Sequence, residues 1–313
     1  MAESMSAPPP RLTPPPPSLP GRHGLAVLVA AGGVALFALM DALMKRASLA
    51  DGVYSVLLAR NLIGVAMVAP VWLARGGRRP GRQAMRLHLL RGLLVAAMSW
   101  TFFWGLVRLP MAEAIAISFV APLVALWLAA IHLGERVRPR AIAAALCGLA
   151  GVGLIAAFRL GSEGPRGDEA GWGIAAVLLS SLFYAVSLVV QRRQAQIAAP
   201  LEIAMSQNLV VSLVLLPLAP WFWQALGNEA LVDVTAAAAF ASASLVLLAW
   251  AYARAEAQVL VLVEYTAFIW SALMGWWWFA EQVTAATLAG VALILFGVWQ
   301  GTRGRQLEPP APV

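Results

Sequence analysis

The chain has 313 residues, of which 61% are hydrophobic and 12% charged, with a formal net charge of +7 and a mean hydropathy of +0.78. Soluble domains carry charge on about a quarter of their residues, so this composition excludes a water-soluble globular protein and reads as an all-α integral membrane protein. The basic residues sit in short stretches between apolar runs rather than on a polar domain, which excludes a nucleic-acid partner and makes them topology signals and contacts for lipid headgroups of the bilayer.

The first 23 residues hold eight of the twenty prolines, including Pro14 to Pro17. So stiff and polar a tract cannot continue a helix or serve as the apolar core of a signal peptide, and it reads as a disordered cytoplasmic tail. Ten apolar runs follow, at 24–44, 53–74, 87–107, 111–132, 141–158, 171–190, 202–224, 231–253, 258–279 and 284–301. The expected domains are a first five-helix unit over 24–158, an external loop over 159–170, a second five-helix unit over 171–301 and a cytoplasmic tail over 302–313.

Two units are expected because the chain echoes itself. Ala112-Glu113-Ala114 returns as Ala255-Glu256-Ala257 and Gly134-Glu135 as Ala280-Glu281, while the seven residues from Leu149 to Ile155 return as Leu288 to Ile294 with six identical. Three landmarks in the same order point to a tandem duplication. Five helices per copy is an odd number, so the second copy enters the membrane from the opposite face, and inverted repeats of this kind are the recurring plan of secondary transporters. Counting Lys and Arg on alternate sides gives fifteen against five, which puts both termini in the cytoplasm and the chain in the cell inner membrane.

The run from Pro110 to Val137 carries no charge between Glu113 and His132. Small residues Ala114, Ser118, Ala121, Ala125 and Ala129 recur along one face of it, which lets a neighbouring helix approach closely in lipid. Pro122 frees the Ser118 carbonyl and predicts either a packing kink or a cavity-lining helix. That run, together with VALFALMDALMKRAS, LHLLRGLL and EYTAFIWSALMGWWWFAEQVTAATLAGVALILFGV, resembles the drug/metabolite transporter superfamily, EamA type, over about residues 24 to 301. The resemblance implies ten transmembrane helices, cytoplasmic termini and movement of small metabolites. It departs from the family pattern at Arg60, which lacks a preceding aromatic, and at Phe268, where a smaller residue is expected.

Ionisable groups inside a span cost about 2.5 to 3.5 kcal/mol each on insertion scales and so need a partner or a water-filled cavity. Asp41, Arg60, Arg91 and Glu264 lie inside spans, with Glu113 at the mouth of the fourth. Asp41 and Arg60 are placed at similar depth on adjacent antiparallel helices and predict a salt bridge; Arg91 and Glu264 predict a matching pair at the other side. Aligning Glu135 with Glu281 sets Ser118 opposite Glu264, an asymmetry that makes Glu264, with Tyr265 beside it, the first choice for a group that titrates during a transport cycle. Gln207 and Asn208, with Tyr184 and Ser187 at comparable depth, either hydrogen-bond a solute or bridge helices. Trp221, Trp223, Trp276, Trp277 and Trp278 read as an interfacial belt, whereas Trp100, Trp250 and Trp270 lie deeper, where they stack on a planar solute or pack in the core.

Cys147 is the sole cysteine and reads as a packing residue, and His23, His88 and His132 are placed separately at membrane surfaces. No cofactor, no metal centre and no catalytic set is expected. The function that follows is proton-coupled export of a small polar metabolite by alternating access. The alternatives are uptake of a vitamin- or nucleoside-like solute of the riboflavin or S-adenosylmethionine type, and a scaffold or receptor subunit that transports nothing. The partners are a small-molecule substrate and the bilayer, with a homodimer left open.

Overall fold

A computed structural model describes residues 20–77, 79–121, 123–124, 139–161, 167–252, 254, 260 and 263–302. The described residues are helical and contain no strand. They form α1 (Pro20–Asp51), α2 (Val53–Ala74), α3 (Arg82–Leu106), α4 (Met111–Ser118), α5 (Pro139–Gly161), α6 (Gly167–Ala195), α7 (Pro200–Leu215), α8 (Asn228–Tyr252), α9 (Ala267–Phe279) and α10 (Ala285–Thr302). A 3-10 turn at Leu216–Leu218 and a helical turn at Ala219–Phe222 extend α7. Among the described residues six helices are long and apolar enough to cross a membrane, and parts of α5 and α10 are shorter apolar helices.

Helix α1 runs seven residues beyond the end of its apolar stretch. Charge at Lys45 and Arg46 lowers hydropathy but does not stop a helix, and no Gly or Pro intervenes until Gly52. There the backbone takes φ +81°, a left-handed turn open to glycine, and α2 starts at once. Lys45 and Arg46, expected in a loop, therefore lie on the last turns of α1. Helix α4 loses its regular form at Phe119, in the turn before Pro122, and Ser118 Oγ donates back to the Ile115 carbonyl at 2.7 Å. Pro122, Ala125 and Ala129 lie outside the described residues, while Ala114 and Ala121 are buried.

The helices pack in a pattern that survives exchange of the two halves of the chain. Replacing α1–α5 by α6–α10 and the reverse turns the α1–α8 contact into α3–α6, α2–α8 into α3–α7 and α1–α9 into α4–α6, and leaves α2–α7, α4–α9 and α5–α10 unchanged. All of these contacts are present. The echoed segment lies on the axis of this exchange. A Cβ on Gly151 would stand 2.5 Å from the Gly290 carbonyl, and one on Gly290 would stand 2.7 Å from the Gly151 carbonyl. Each also abuts the other copy's isoleucine, Ile294 or Ile155. The repeated glycines thus meet each other and bring α5 and α10 to backbone contact, as small residues do where lipid supplies no drive for association.

A single large apolar core, including Met44, Leu57, Leu58, Leu106, Ile117, Ile155 and Ile294, runs through helices of both halves. Large apolar side chains also face outward, among them Leu28, Leu73, Trp221, Val246, Trp276 and Trp277, which is the surface that lipid tails cover.

Candidate functional site

The polar side chains inside the bundle gather at its two ends and around one cleft. At the first end, Lys45 Nζ donates to Glu281 Oε1 at 2.5 Å and to the Leu109 carbonyl at 2.6 Å, with the Phe279 ring 4.9 Å away. Glu281 Oε2 accepts the Met111 amide at 2.7 Å, so its charge also caps the N-terminus of α4. Glu281 reaches this position because α9 ends on Ala280 with φ 51°, a left-handed conformation that costs a residue with a Cβ about 1 to 2 kcal/mol. Beside it, Glu113 accepts Arg159 Nε at 2.9 Å and Thr287 Oγ1 at 3.2 Å. Arg46 holds Asp233 through two charge-assisted bonds, and Asp51 accepts the Gly227 amide at 2.7 Å. Helices α1, α4, α5, α8 and α10, with the turn after α9, are thereby tied together at this end.

Most of these residues were not singled out from the sequence. Lys45, Arg46 and Arg159 entered only as topology charges, and Glu281 only as a repeat landmark. The signal that could have found Lys45 is the absence of any helix breaker before Gly52. Glu113, by contrast, stands where expected, but as an ion-pair partner inside this network.

At the opposite end His88 is 1% exposed, not at a membrane surface as expected. Gln194 donates its amide to His88 Nδ1 at 2.5 Å and accepts Arg91 Nη1 on its oxygen at 3.3 Å. This arrangement assigns the His88 proton to Nε2, which donates to Glu202 Oε1 at 2.9 Å. Helices α3, α6 and α7 are joined there through one chain of polar groups. Arg91 is buried, and its Nε has no partner among the described residues.

Glu264 lies just before α9, and Tyr252 of α8 donates its hydroxyl to Glu264 Oε1 at 2.6 Å. Tyr184 of α6 is within electrostatic reach of both Glu264 and Arg91, and Tyr265 is within reach of Glu264. Tyr265 stands edge-on to Phe119 of α4, with ring centroids 5.0 Å apart. Three of the four tyrosines of the chain thus converge on one carboxyl. Glu264, Tyr184 and Tyr252 face one another from three helices and are nevertheless exposed. The exposed polar groups where α6, α8 and the segment before α9 meet form the candidate cleft. Trp270, one turn further along, buries an indole N–H with no partner among the described residues.

The expected pairs are not formed as drawn. Arg91 and Glu264 make no ion pair; Arg91 bonds Gln194, Glu264 bonds Tyr252, and Tyr184 lies within reach of both. Asp41 and Arg60 interact electrostatically across α1 and α2, but no salt bridge joins them within 4.0 Å, although Asp41 is 4% exposed. Asn208 presses on Gly64 of α2, where a Cβ would stand 2.8 Å from its side chain, and Ser187 bonds the Tyr184 carbonyl of its own helix. That favours helix bridging for Asn208. Gln207 is half-buried beside it. Trp100 packs edge-on against Tyr54 with ring centroids 5.8 Å apart, and the Arg254 guanidinium lies over the Trp250 ring at 4.2 Å. Among the described residues no group of three or more His, Cys, Asp or Glu is placed to hold a metal ion.

Comparison with known proteins gives this geometry a context. The EamA-like transporter family matches the chain twice, over residues 24–157 and 171–300. The pseudopaline exporter CntI of Pseudomonas aeruginosa strain PAO1 is 26% identical over 277 residues, 86% of this chain and 93% of the relative. The pseudopaline exporter CntI of strain UCBPP-PA14 is 28% identical over 116 residues, 37% of this chain and 40% of the relative. A crystal structure superposes with a TM-score of 0.57 at 24% identity, covering 91% of this chain and 100% of the other, a likeness of fold alone.

Proposed function

Because the chain belongs to the EamA-like transporter family, we propose that it is a secondary transporter exporting a small polar metabolite across the inner membrane by alternating access, with proton coupling through Glu264. In this reading ten helices span the bilayer as two inverted five-helix repeats, and both termini are cytoplasmic. The observation that carries it is the cleft: a buried cation whose Nε, on Arg91, has no partner among the described residues, and a carboxyl, Glu264, approach the same tyrosine from opposite halves of the chain. A scaffold has no need of unsatisfied polar groups at the junction of its repeats, because each costs stability. A solute with complementary charge and hydrogen-bonding groups satisfies them.

Export rather than uptake is favoured by the relative, which is named an exporter. The Lys45 network is then the closed periplasmic gate, and the cleft opens toward the cytoplasm. Opening the gate requires the Lys45–Glu281 and Arg46–Asp233 bonds to separate. The topology is tested by alkaline phosphatase fused after Val313, which is inactive if the C-terminus is cytoplasmic; periplasmic activity refutes the orientation. The coupling is tested in proteoliposomes under an imposed pH gradient, with pseudopaline as the first probe solute. Glu264→Gln keeps shape and hydrogen bonding but abolishes the dependence of flux on the gradient, and Glu264→Asp retains part of it. A gradient-driven flux unchanged in Glu264→Gln removes the proton role from this residue.

A further inference from the structure

Outside the cleft, a cavity of about 880 Å³ lies between the start of α3 and the end of α6. Arg82, Arg86 and Arg193 line it, with Gln83 and Gln196 between them and, among the described residues, no acidic one in the wall. Among the described residues none of these guanidiniums is in an ion pair. Glu202, at the start of α7 beside the same junction, is engaged by His88. Three cations around one opening repel one another, and an anion seated among them removes that repulsion while accepting their N–H donors.

The surroundings of the cavity decide what kind of anion it takes. Arg82, Arg86, Leu89 and Leu93 are spaced by four, three and four residues and so share one face of α3. Leu89 and Leu93 are 47% and 52% exposed. On α6, Arg193 shares a face with Val186, Leu182 and Leu179, which are 39%, 49% and 43% exposed. Both helices therefore lead from arginine at the membrane surface to bare apolar side chains at membrane depth. A free phosphate would use the arginines and leave both apolar stripes unexplained. A phospholipid uses all of it, with its headgroup among the guanidiniums and its acyl chains along the leucines.

We infer that the Arg82, Arg86 and Arg193 cavity is a binding site for the headgroup of an anionic phospholipid, which bridges the two halves of the chain at the α3–α6 junction. The inference needs only that the helices lie in a bilayer and does not depend on the transport reading.

The experiment uses the full chain, purified in detergent, stripped of lipid and examined by native mass spectrometry with phosphatidylglycerol, phosphatidylcholine, glycerophosphoglycerol or inorganic phosphate added separately. Phosphatidylglycerol is expected to be retained roughly ten-fold or more over phosphatidylcholine, as expected for several cations near one anionic headgroup. Arg86→Gln with Arg193→Gln brings it to the phosphatidylcholine level, and Arg86→Lys with Arg193→Lys keeps most of it. Arg75→Gln with Arg79→Gln, on the same side but outside the cavity, leaves retention unchanged. Equal retention of the two lipids, or undiminished phosphatidylglycerol binding in the folded glutamine variant, overturns the site. Displacement of the lipid from wild-type protein by equimolar phosphate or glycerophosphoglycerol identifies a soluble-anion site and overturns the lipid assignment. That competition needs no variant, so the outcome stands even where the double substitution fails to fold.

Discussion

The two ends of the bundle handle buried charge in opposite ways. At the Lys45 end three carboxylates each have a cation: Lys45 with Glu281, Arg159 with Glu113, Arg46 with Asp233. On the other side, Arg91 is buried beside a glutamine with Nε unpartnered among the described residues, and Glu264 is held by a tyrosine hydroxyl. The first arrangement is self-sufficient and resists change; the second leaves donors and an acceptor for something else. A transporter needs one of each at any moment, a seal and a site.

The contrast predicts where substitution harms the fold. Lys45→Met leaves Glu281 buried without its cation, and removing one partner of a buried pair costs about 3 to 5 kcal/mol. The detergent-solubilised protein should melt far below wild type, and adding Glu281→Leu should restore most of the loss. If Lys45→Met melts like wild type, the seal contributes little and the contrast between the ends collapses. Next in size is Gly151→Ala, whose Cβ meets the Gly290 carbonyl and should cost about 1 to 3 kcal/mol by overpacking. Gly153→Ala is its control, since nothing lies within 4 Å of the added atom. Equal melting temperatures for the two would refute the glycine-on-glycine crossing.

How much of this was readable beforehand follows from what each feature depends on. The echo from Leu149 to Ile155 and from Leu288 to Ile294 announced two related units because local packing demands repeat with the fold. That its glycines touch could not be read, since contact between copies depends on where the axis falls. Glu264 was legible as a lone acid in an apolar stretch. Its partner Tyr252 was not, because a tyrosine at the end of an apolar helix reads as interfacial. Lys45 was hidden by a charge that ends an apolar run without ending the helix. His88 was set at the surface because its partners, Gln194 and Glu202, are more than a hundred residues away in sequence. Hydropathy locates spans, but it is blind to which polar groups meet across them.

Asp41 and Arg60 test the middle ground. They feel each other electrostatically without a direct bond; neutralising either should cost about 1 kcal/mol, the centre of the range for single substitutions, and the swapped Asp41→Arg, Arg60→Asp variant should recover only part. Full recovery to wild-type melting would mean the two are in direct contact, contrary to the geometry. The smallest effect on stability belongs to Glu264→Gln, within about 0.5 kcal/mol of wild type, because the amide keeps the shape and its oxygen still accepts the Tyr252 hydroxyl.

That variant also gives the most direct test of the central claim, that the cleft between Arg91 and Glu264 carries a solute. Proteoliposomes are loaded with a whole-cell metabolite extract, a pH gradient is imposed, and solutes leaving the lumen are identified by mass spectrometry. The account predicts that wild-type protein releases at least one small polar solute that protein-free liposomes retain, and that Glu264→Gln, equally stable and equally incorporated, releases it no faster than protein-free liposomes under the gradient. Identical release from wild-type, Glu264→Gln and protein-free liposomes would contradict it.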